Sequence, residues 1–403
     1  QSNIANLGVK WETQEQVNVG IDLGFFHERV NLIVDWYKKV SKDMLMSLQL
    51  PSYMGTSGNA SSALAAPMGN YGDIENKGWE ISLNTHPLIG AFEWDSDFQI
   101  SFNRNKLRAL DGTANAQIVG YGQWSDVVSV TNVGESLYNF YGYVCDGVYE
   151  DLEDLQTSAK PAKYPADGVF NRTNTVWVGD IKYKDLNGDG VIDENDRTNI
   201  GSPLPKFTFG WTNTFRYKNF DLSLFINGSY GNKVFNYLGM KLTHMNSPWS
   251  NQLNTVLDRA QIVPIDPNKD YSAGVVVNGV TIYNWYDDIT NVRVANAGAT
   301  IPRASIQDPN DNDRISDRYI EDGSYIRLKN ITLGYTFPGK IIKKWGLDNL
   351  RVYANIQNLL TITGYSGYDP EIGASTASAN VYGLDNGRYP SPTVYSFGLN
   401  VSF

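Results

Sequence analysis

The chain has 403 residues, a formal net charge of −10, 13% aromatic residues and only 19% charged ones. No run approaches the about 18 consecutive apolar residues of a transmembrane helix, which excludes a helical membrane protein but not a membrane β-barrel, whose alternating strands average to a polar composition. The acidic balance and the lack of a basic cluster in the sequence argue against a nucleic-acid partner, and the single cysteine, Cys145, excludes an internal disulfide and a cysteine-based zinc site.

Alternation with a period of two dominates and predicts strands. The first two run over 13–26 and 30–45 and are joined by His27-Glu28-Arg29; Val30, Leu32, Val34 and Trp36 line one face. The next pair, 72–86 and 91–104, is joined through a short turn at Pro87. In 205–218, Phe207, Phe209, Trp211, Asn213, Phe215 and Tyr217 alternate with Thr208, Gly210, Thr212, Thr214 and Arg216. In 219–231, Phe220, Leu222, Leu224 and Ile226 alternate with Asp221, Ser223, Phe225 and Asn227. Only Lys218-Asn219 separates these runs, the mark of a tight hairpin. Strands over 319–337 and 348–362 flank 338–347, a longer turn with room for a helical turn. The last strand, 392–403, places Tyr395, Phe397, Leu399, Val401 and Phe403 on one face. Aromatics near strand ends, as at Trp11, Trp36, Trp79, Trp94 and Tyr395, stand where interface girdles belong. The fold class expected is therefore all-β: a transmembrane antiparallel β-barrel portion of about nine strands.

Connections alternate sharply in length. Those around 27–29, 87–90, 218–219 and 338–347 are short, whereas 46–71, 105–204, 232–318 and 363–391 are long and rich in Asn, Asp, Ser, Gly and Pro. Short turns at one end and long extracellular loops at the other is the outer-membrane pattern. Loop 105–204 reads as nearly a domain in itself, and loop 232–318 is expected to carry a helix around 250–261. Nine is odd, single-chain bacterial barrels have even strand numbers, and an open edge cannot face lipid. Further strands are thus expected from an N-terminal part, on the same or a separate polypeptide.

The sharpest local motif is 185–196. Asp185, Asn187 and Asp189 supply oxygens at positions 1, 3 and 5 of a calcium loop, Gly190 allows its sharp turn, Val191 offers a carbonyl and Asp193 a further carboxylate. The twelfth position is Asp196 in place of glutamate, and extended flanks replace the helix pair. A structural calcium, with magnesium as the other candidate, would rigidify the large loop. A second acidic stretch, 308–313, lacks the glycine and the spacing and reads as a solvated loop. Asp317, Glu321 and Asp322 read as ordinary acidic residues at a strand start, and no catalytic motif appears, so no enzyme is expected. His27, His86 and His244 read as turn or surface residues. Loop aromatics beside Asn and Asp suit sugar or peptide recognition; Tyr121, Trp124, Trp249, Trp285, Tyr286 and Tyr368 are the substrate-binding candidates.

Several segments, in order, resemble the C-terminal part of SusC/RagA-type TonB-dependent outer-membrane transporters, over nearly all 403 residues. They are Asn6-Leu7-Gly8-Val9-Lys10-Trp11-Glu12-Thr13, Asn18-Val19-Gly20-Ile21-Asp22, Asn76-Lys77-Gly78-Trp79-Glu80, Tyr141-Gly142-Tyr143, Asp196-Arg197 and Ile200-Gly201. Ser316-Asp317-Arg318-Tyr319-Ile320-Glu321-Asp322-Gly323-Ser324-Tyr325-Ile326-Arg327-Leu328-Lys329-Asn330 and Leu333-Gly334-Tyr335 follow. Asn358-Leu359, Gly364-Tyr365-Ser366-Gly367-Tyr368-Asp369-Pro370-Glu371 and the aromatic terminus Phe403 close the series. The resemblance implies a barrel of about 22 strands with an N-terminal plug. It also implies a segment that couples to TonB, a SusD-like surface lipoprotein partner and import of glycans or peptides across the outer membrane. It makes the terminal strand, with Tyr395, Phe397, Leu399, Val401 and Phe403, the barrel-assembly signal. Two rivals stand beside it: a surface-binding or scaffold protein on a transporter-derived barrel without import, and a soluble calcium-dependent sugar-binding β-protein.

Overall fold

The computed structural model describes residues 6–47, 67–110, 116–122, 126–246, 249–373 and 380–403. Nine long strands form one antiparallel sheet whose spatial order follows the sequence. They are β1 (Thr13–Phe25), β2 (Val30–Ser47), β3 (Met68–Leu88), β4 (Phe92–Ala109), β5 (Phe207–Tyr217), β6 (Phe220–Tyr230), β7 (Tyr325–Thr336), β8 (Asn349–Thr363) and β9 (Val394–Ser402). Each of the nine expected strands is present. The short turns all lie at one end and the long connections at the other.

Register explains why the alternation was so clear. Val19, Trp36, Trp79 and Phe102 stand side by side across β1 to β4. Phe102 continues to Phe207 at 5.7 Å between ring centroids, and Phe207 to Tyr230 at 5.1 Å. That aromatic row marks the loop end of the outward face. At the turn end Phe92 meets Tyr217 at 6.4 Å, Phe220 meets Tyr335 at 4.7 Å and Tyr335 meets Phe337 at 5.1 Å. Between the rows lie Phe98, Trp211, Ile226 and Leu328, paired in sequence across four strands. An apolar band between two aromatic girdles is the lipid-facing surface of a membrane barrel. Ser96 and Asn213 are polar positions within it, and both are buried. The indole N–H of Trp94 donates to Asn213 Oδ1 at 3.0 Å and that of Trp211 to Ser96 Oγ at 2.9 Å. Lipid offers no such partner, so the tryptophans supply it. The opposite face carries Asp221, Arg351 and Arg216, with Arg351 Nε donating to Asp221 Oδ1 at 3.0 Å.

Three boundaries differ from expectation. β2 and β3 pair as far as Ser47 with Met68, so their hairpin stands well past the girdle. The strand expected over 319–337 is broken: Ile320–Asp322 leaves the wall to pair with Lys233–Asn236, and β7 starts at Tyr325. Gly323 stands at the break, packed closely against Asn232: a Cβ there would sit 2.5 Å from the Asn232 side-chain Nδ2. The helix expected around 250–261 is only a 3-10 stretch at Asn254–Asp258, preceded by Leu253, which offers no side-chain cap. Among the described residues of the loop the α-helix is Tyr237–Thr243, capped by Asn236, whose Oδ1 accepts from the Gly239 N–H at 2.6 Å. In the 338–347 turn, Gly339–Ile342 is helical, as the spacing suggested.

Candidate functional site

The long loops form a packed platform over the loop end of the sheet. Loop 105–204 is not a separate domain. Its core, around Tyr149, Leu155, Trp177, Ile181 and Ile192, is completed by Ala260, Ile289, Val292 and Val294 from the loop between β6 and β7. A second core joins Phe140 to Phe235, Tyr237, Met240 and Tyr319, and to Val381 and Leu384 from the last loop. The Tyr141-Gly142-Tyr143 segment lies where these loops meet: Thr198–Gly201 pairs with Phe140–Gly142, and Tyr143 bridges to Ser316. Gly142 is required there, since a Cβ would lie 2.4 Å from the Ile315 carbonyl oxygen.

Below the first core sits a buried polar clasp. Arg303 donates to Asp180 at 2.7 Å, with the two side chains 6% and 0% exposed. Asn312 takes the Ile181 N–H at 2.7 Å and gives its amide to Asp180 at 3.1 Å. Asn310 donates to the Ile181 carbonyl at 2.9 Å. The stretch 308–313, expected to be solvated, is thus the inner seam between two loops; Asn310 is 0% and Asn312 3% exposed. Burial pushes the Asp180 carboxyl above the usual carboxylate range, against the pull of the Arg303 guanidinium. His244 also departs from expectation. It is wedged in the platform with Nε2 3.1 Å from Asp308 and Nδ1 2.9 Å from Asp313. Burial alone would lower its pKa, but the two carboxylates win and lift it to about 9, so the ring is an imidazolium that donates to both. Asp317 accepts the Cys145 N–H at 2.9 Å and Glu321 the Ser366 N–H at 2.8 Å, which are structural tasks.

The last loop is fastened to β7. Arg327, buried on the inner face, holds Asp369 and bonds Glu371 at 2.8 Å, and Lys329 reaches Glu371 at 3.1 Å. The Tyr365 hydroxyl donates to Asp385 at 2.6 Å. These contacts explain why the I-R-L-K-N and G-Y-S-G-Y-D-P-E segments occur together. They frame a cavity of about 500 Å³ on the inner side of β5, β6 and β7, lined by Pro203, Tyr325, Lys329, Asp369, Arg388 and Tyr389 among others. Both charge signs, flat rings and proline edges face it, a lining suited to a polar chain with some apolar surface.

The loop 185–196 is tightly self-bonded. Asp185 accepts the Gly188 N–H at 2.6 Å and the Gly190 N–H at 2.8 Å, and both glycines have left-handed φ, 78° and 82°. These N–H bonds hold the Asp185 carboxyl below its usual range. Asn187 and Asp189 accept the next N–H groups along the turn, at 3.0 and 2.8 Å. Asp196 is 0% exposed and ties the two ends together, accepting from Leu186 at 2.8 Å and Asp193 at 2.9 Å. Asn187, Asp189, Val191 and Asp193 lie at the surface above it.

Five of the six aromatic candidates lie among the described residues, and they do not gather at one cavity. Trp285 and Tyr286 contact each other at 5.8 Å, and Tyr286 faces the Arg172 guanidinium at 5.1 Å. Trp285 packs against the first platform core. Tyr121, Trp249 and Tyr368 are exposed, and Trp124 lies outside the described residues. The cavity's Tyr325, Lys329, Arg388 and Tyr389 are not marked as site residues by the sequence; the charges within the two paired segments are a signal for Lys329, and none exists for Arg388 and Tyr389. On β9, Tyr395, Phe397, Leu399 and Val401 line the outward face opposite Ile356, Ala354, Val352 and Leu350, and Phe403 follows at the end of the chain.

No protein-family model matches the chain. Among curated proteins it is 33% identical to TonB-dependent receptor P3 of Formosa agariphila, over 100% of this chain and 35% of that protein. It is 27% identical to TonB-dependent receptor SusC of Bacteroides thetaiotaomicron, over 99% of this chain and 32% of that protein. Among solved structures the RagAB peptide transporter shares the fold with a TM-score of 0.67 at 20% identity, covering 98% of this chain and 36% of the transporter chain. The chain therefore spans about a third of the length of the relatives it matches. The apolar band, the one-sided loops and these relatives agree: over its whole length the chain is similar to SusC/RagA-type TonB-dependent receptors, proteins of the outer membrane.

Proposed function

We propose that this chain forms the C-terminal wall and outer platform of an importer that carries glycans or peptides across the outer membrane with energy delivered through TonB. The observation that carries the reading is the cavity between β5 to β7 and the last loop. It lies on the inner face, beside the platform, and presents both charge signs and aromatic rings. TonB would act on a plug carried, with the remaining wall strands, by the part of the receptor this chain does not span. Those strands would pair with the free edges of β1 and β9. The β9 residues Tyr395, Phe397, Leu399, Val401 and Phe403 would be read by the barrel-assembly machinery. A SusD-like lipoprotein would close over the platform, where Trp249 and Tyr368 stand exposed.

The loop 185–196 would hold a structural calcium among Asp185, Asn187, Asp189, the Val191 carbonyl and Asp193, with Asp196 closing the loop beneath. Magnesium fits less well, because it demands near-octahedral geometry and keeps its waters. The test is limited proteolysis of the full receptor. Chelator, or Asp185→Ala with Asp189→Ala, should speed cleavage within 105–204; unchanged cleavage would remove calcium from the account.

For import itself, the full receptor is extracted from outer membranes and its partners and bound oligomers identified. A co-purifying lipoprotein, an oligosaccharide or peptide, and uptake abolished without TonB are the expected results. A bound oligomer with TonB-independent behaviour and no uptake would favour the surface-binding scaffold instead.

A further inference from the structure

One row beyond the outer aromatic girdle, the outward face changes character. The girdle row is Val19, Trp36, Trp79 and Phe102; the next row is Lys38, Lys77 and Arg104, each directly opposite its neighbour across β2, β3 and β4. The row above adds Lys106, opposite Glu75, and Arg108 follows on β4. Glu75 is the carboxylate that serves this group, 3.3 Å from Lys38 and 3.6 Å from Arg108. Glu15, the nearby acid on β1, is taken by Lys42 at 2.6 Å. Arg104 spends one nitrogen on the carbonyls of Asn103 and Lys206, at 2.8 and 2.9 Å. Lys77 forms no ion pair among the described residues.

Like charges placed directly opposite on adjacent strands repel. Such a row, in a chain with net charge −10, calls for an anion. Its level fixes the kind of anion. The long loops mark this as the outer end of the wall, and the girdle below marks the edge of the hydrocarbon. The side chains project towards lipid, not into the lumen. An anion that reaches them must be carried by a molecule whose chains lie against Trp36, Trp79 and Phe102. Phosphate suits the donors, since arginine forks onto its oxygens and lysine meets it as a point charge.

We propose that Lys38, Lys77 and Arg104, supported by Lys106 and Arg108, bind the phosphate of an outer-leaflet glycolipid whose acyl chains pack on the girdle below. The site seats the wall at a fixed depth and neutralises the row. The experiment uses the full receptor complex, extracted in mild detergent, with native mass spectrometry of retained lipid. The probes are the phosphorylated glycolipid, the same glycolipid treated with phosphatase, and phosphatidylglycerol. The wild type should retain the phosphorylated glycolipid in preference to the other two. Lys77→Gln with Arg104→Gln should lower that retention by about tenfold, as loss of one or two charge-assisted bonds requires. Equal retention by wild type and variant, or equal retention of the dephosphorylated form, overturns the proposal. So does full displacement by phosphatidylglycerol, which would assign the row to any anionic lipid. If the double variant fails to assemble, the wild-type preference between phosphorylated and dephosphorylated glycolipid decides alone.

Discussion

The wall and the platform are built by different physics. In the wall, neighbours in sequence are neighbours in space, backbone ladders join each strand to the next, and side chains need only be apolar outward and polar inward. In the platform, segments a hundred or more residues apart share cores, and side-chain pairs such as Asp180 with Arg303 hold them. The first tolerates exchange of one apolar residue for another. The second depends on particular partners, because a buried charge without its counter-charge is costly.

The largest effect should come from separating the two. Arg303→Ala leaves Asp180 fully buried without its counter-charge, a loss of about 3–5 kcal/mol. Loops 105–204 and 232–318 should become protease-sensitive while the barrel keeps its heat-modifiable migration on gels. Loss of the barrel as well would mean the two regions fold as one. Arg327→Ala probes the bridge between them, since its partners Asp369 and Glu371 belong to the last loop. About 3 kcal/mol should be lost, and a cysteine label at Tyr389 should gain mobility while one on β1 does not.

His244 gives a smaller, pH-dependent effect. Its pKa is raised from an ordinary value near 6.5 to about 9 in the fold. The stabilisation is therefore complete below the unfolded value and is lost as pH rises through about 9. Cleavage next to helix Tyr237–Thr243 should accelerate over that range, and His244→Gln should remove the dependence. The smallest effect belongs to the wall. Trp94→Phe deprives Asn213 of its donor at the lipid face and should cost about 1 kcal/mol in urea unfolding from vesicles, with no change in the platform.

The same contrast governs what could be read in advance. Phe207 to Tyr217 alternate because lipid lies on one side and the lumen on the other, and that period survives in the sequence alone. Asn310 and Asn312 look like solvent-exposed loop residues because their partners, Ile181 and Asp180, lie about 130 positions away. His244 hides for the same reason, its carboxylates being 64 or more positions distant. The self-bonded turn 185–196 was legible because its hydrogen bonds are local. Arg388 and Tyr389 were not, because the cavity exists only once the last loop has folded back.

That last loop has a consequence in time as well as in space. Hairpins such as β5–β6 need only their own residues to close. The second platform core cannot close until residues 380–385 arrive. Ser129 bonds the Asn380 carbonyl across 251 positions, and the Phe235 N–H meets the Gly383 carbonyl at 2.9 Å. Closing such distant contacts is slow relative to zipping hairpins. The stretch at 380–385 is thus the keystone: a barrel whose last loop has not yet folded back would carry a finished wall beneath an open roof, and would present cleavable loops as the sign of its unfinished state.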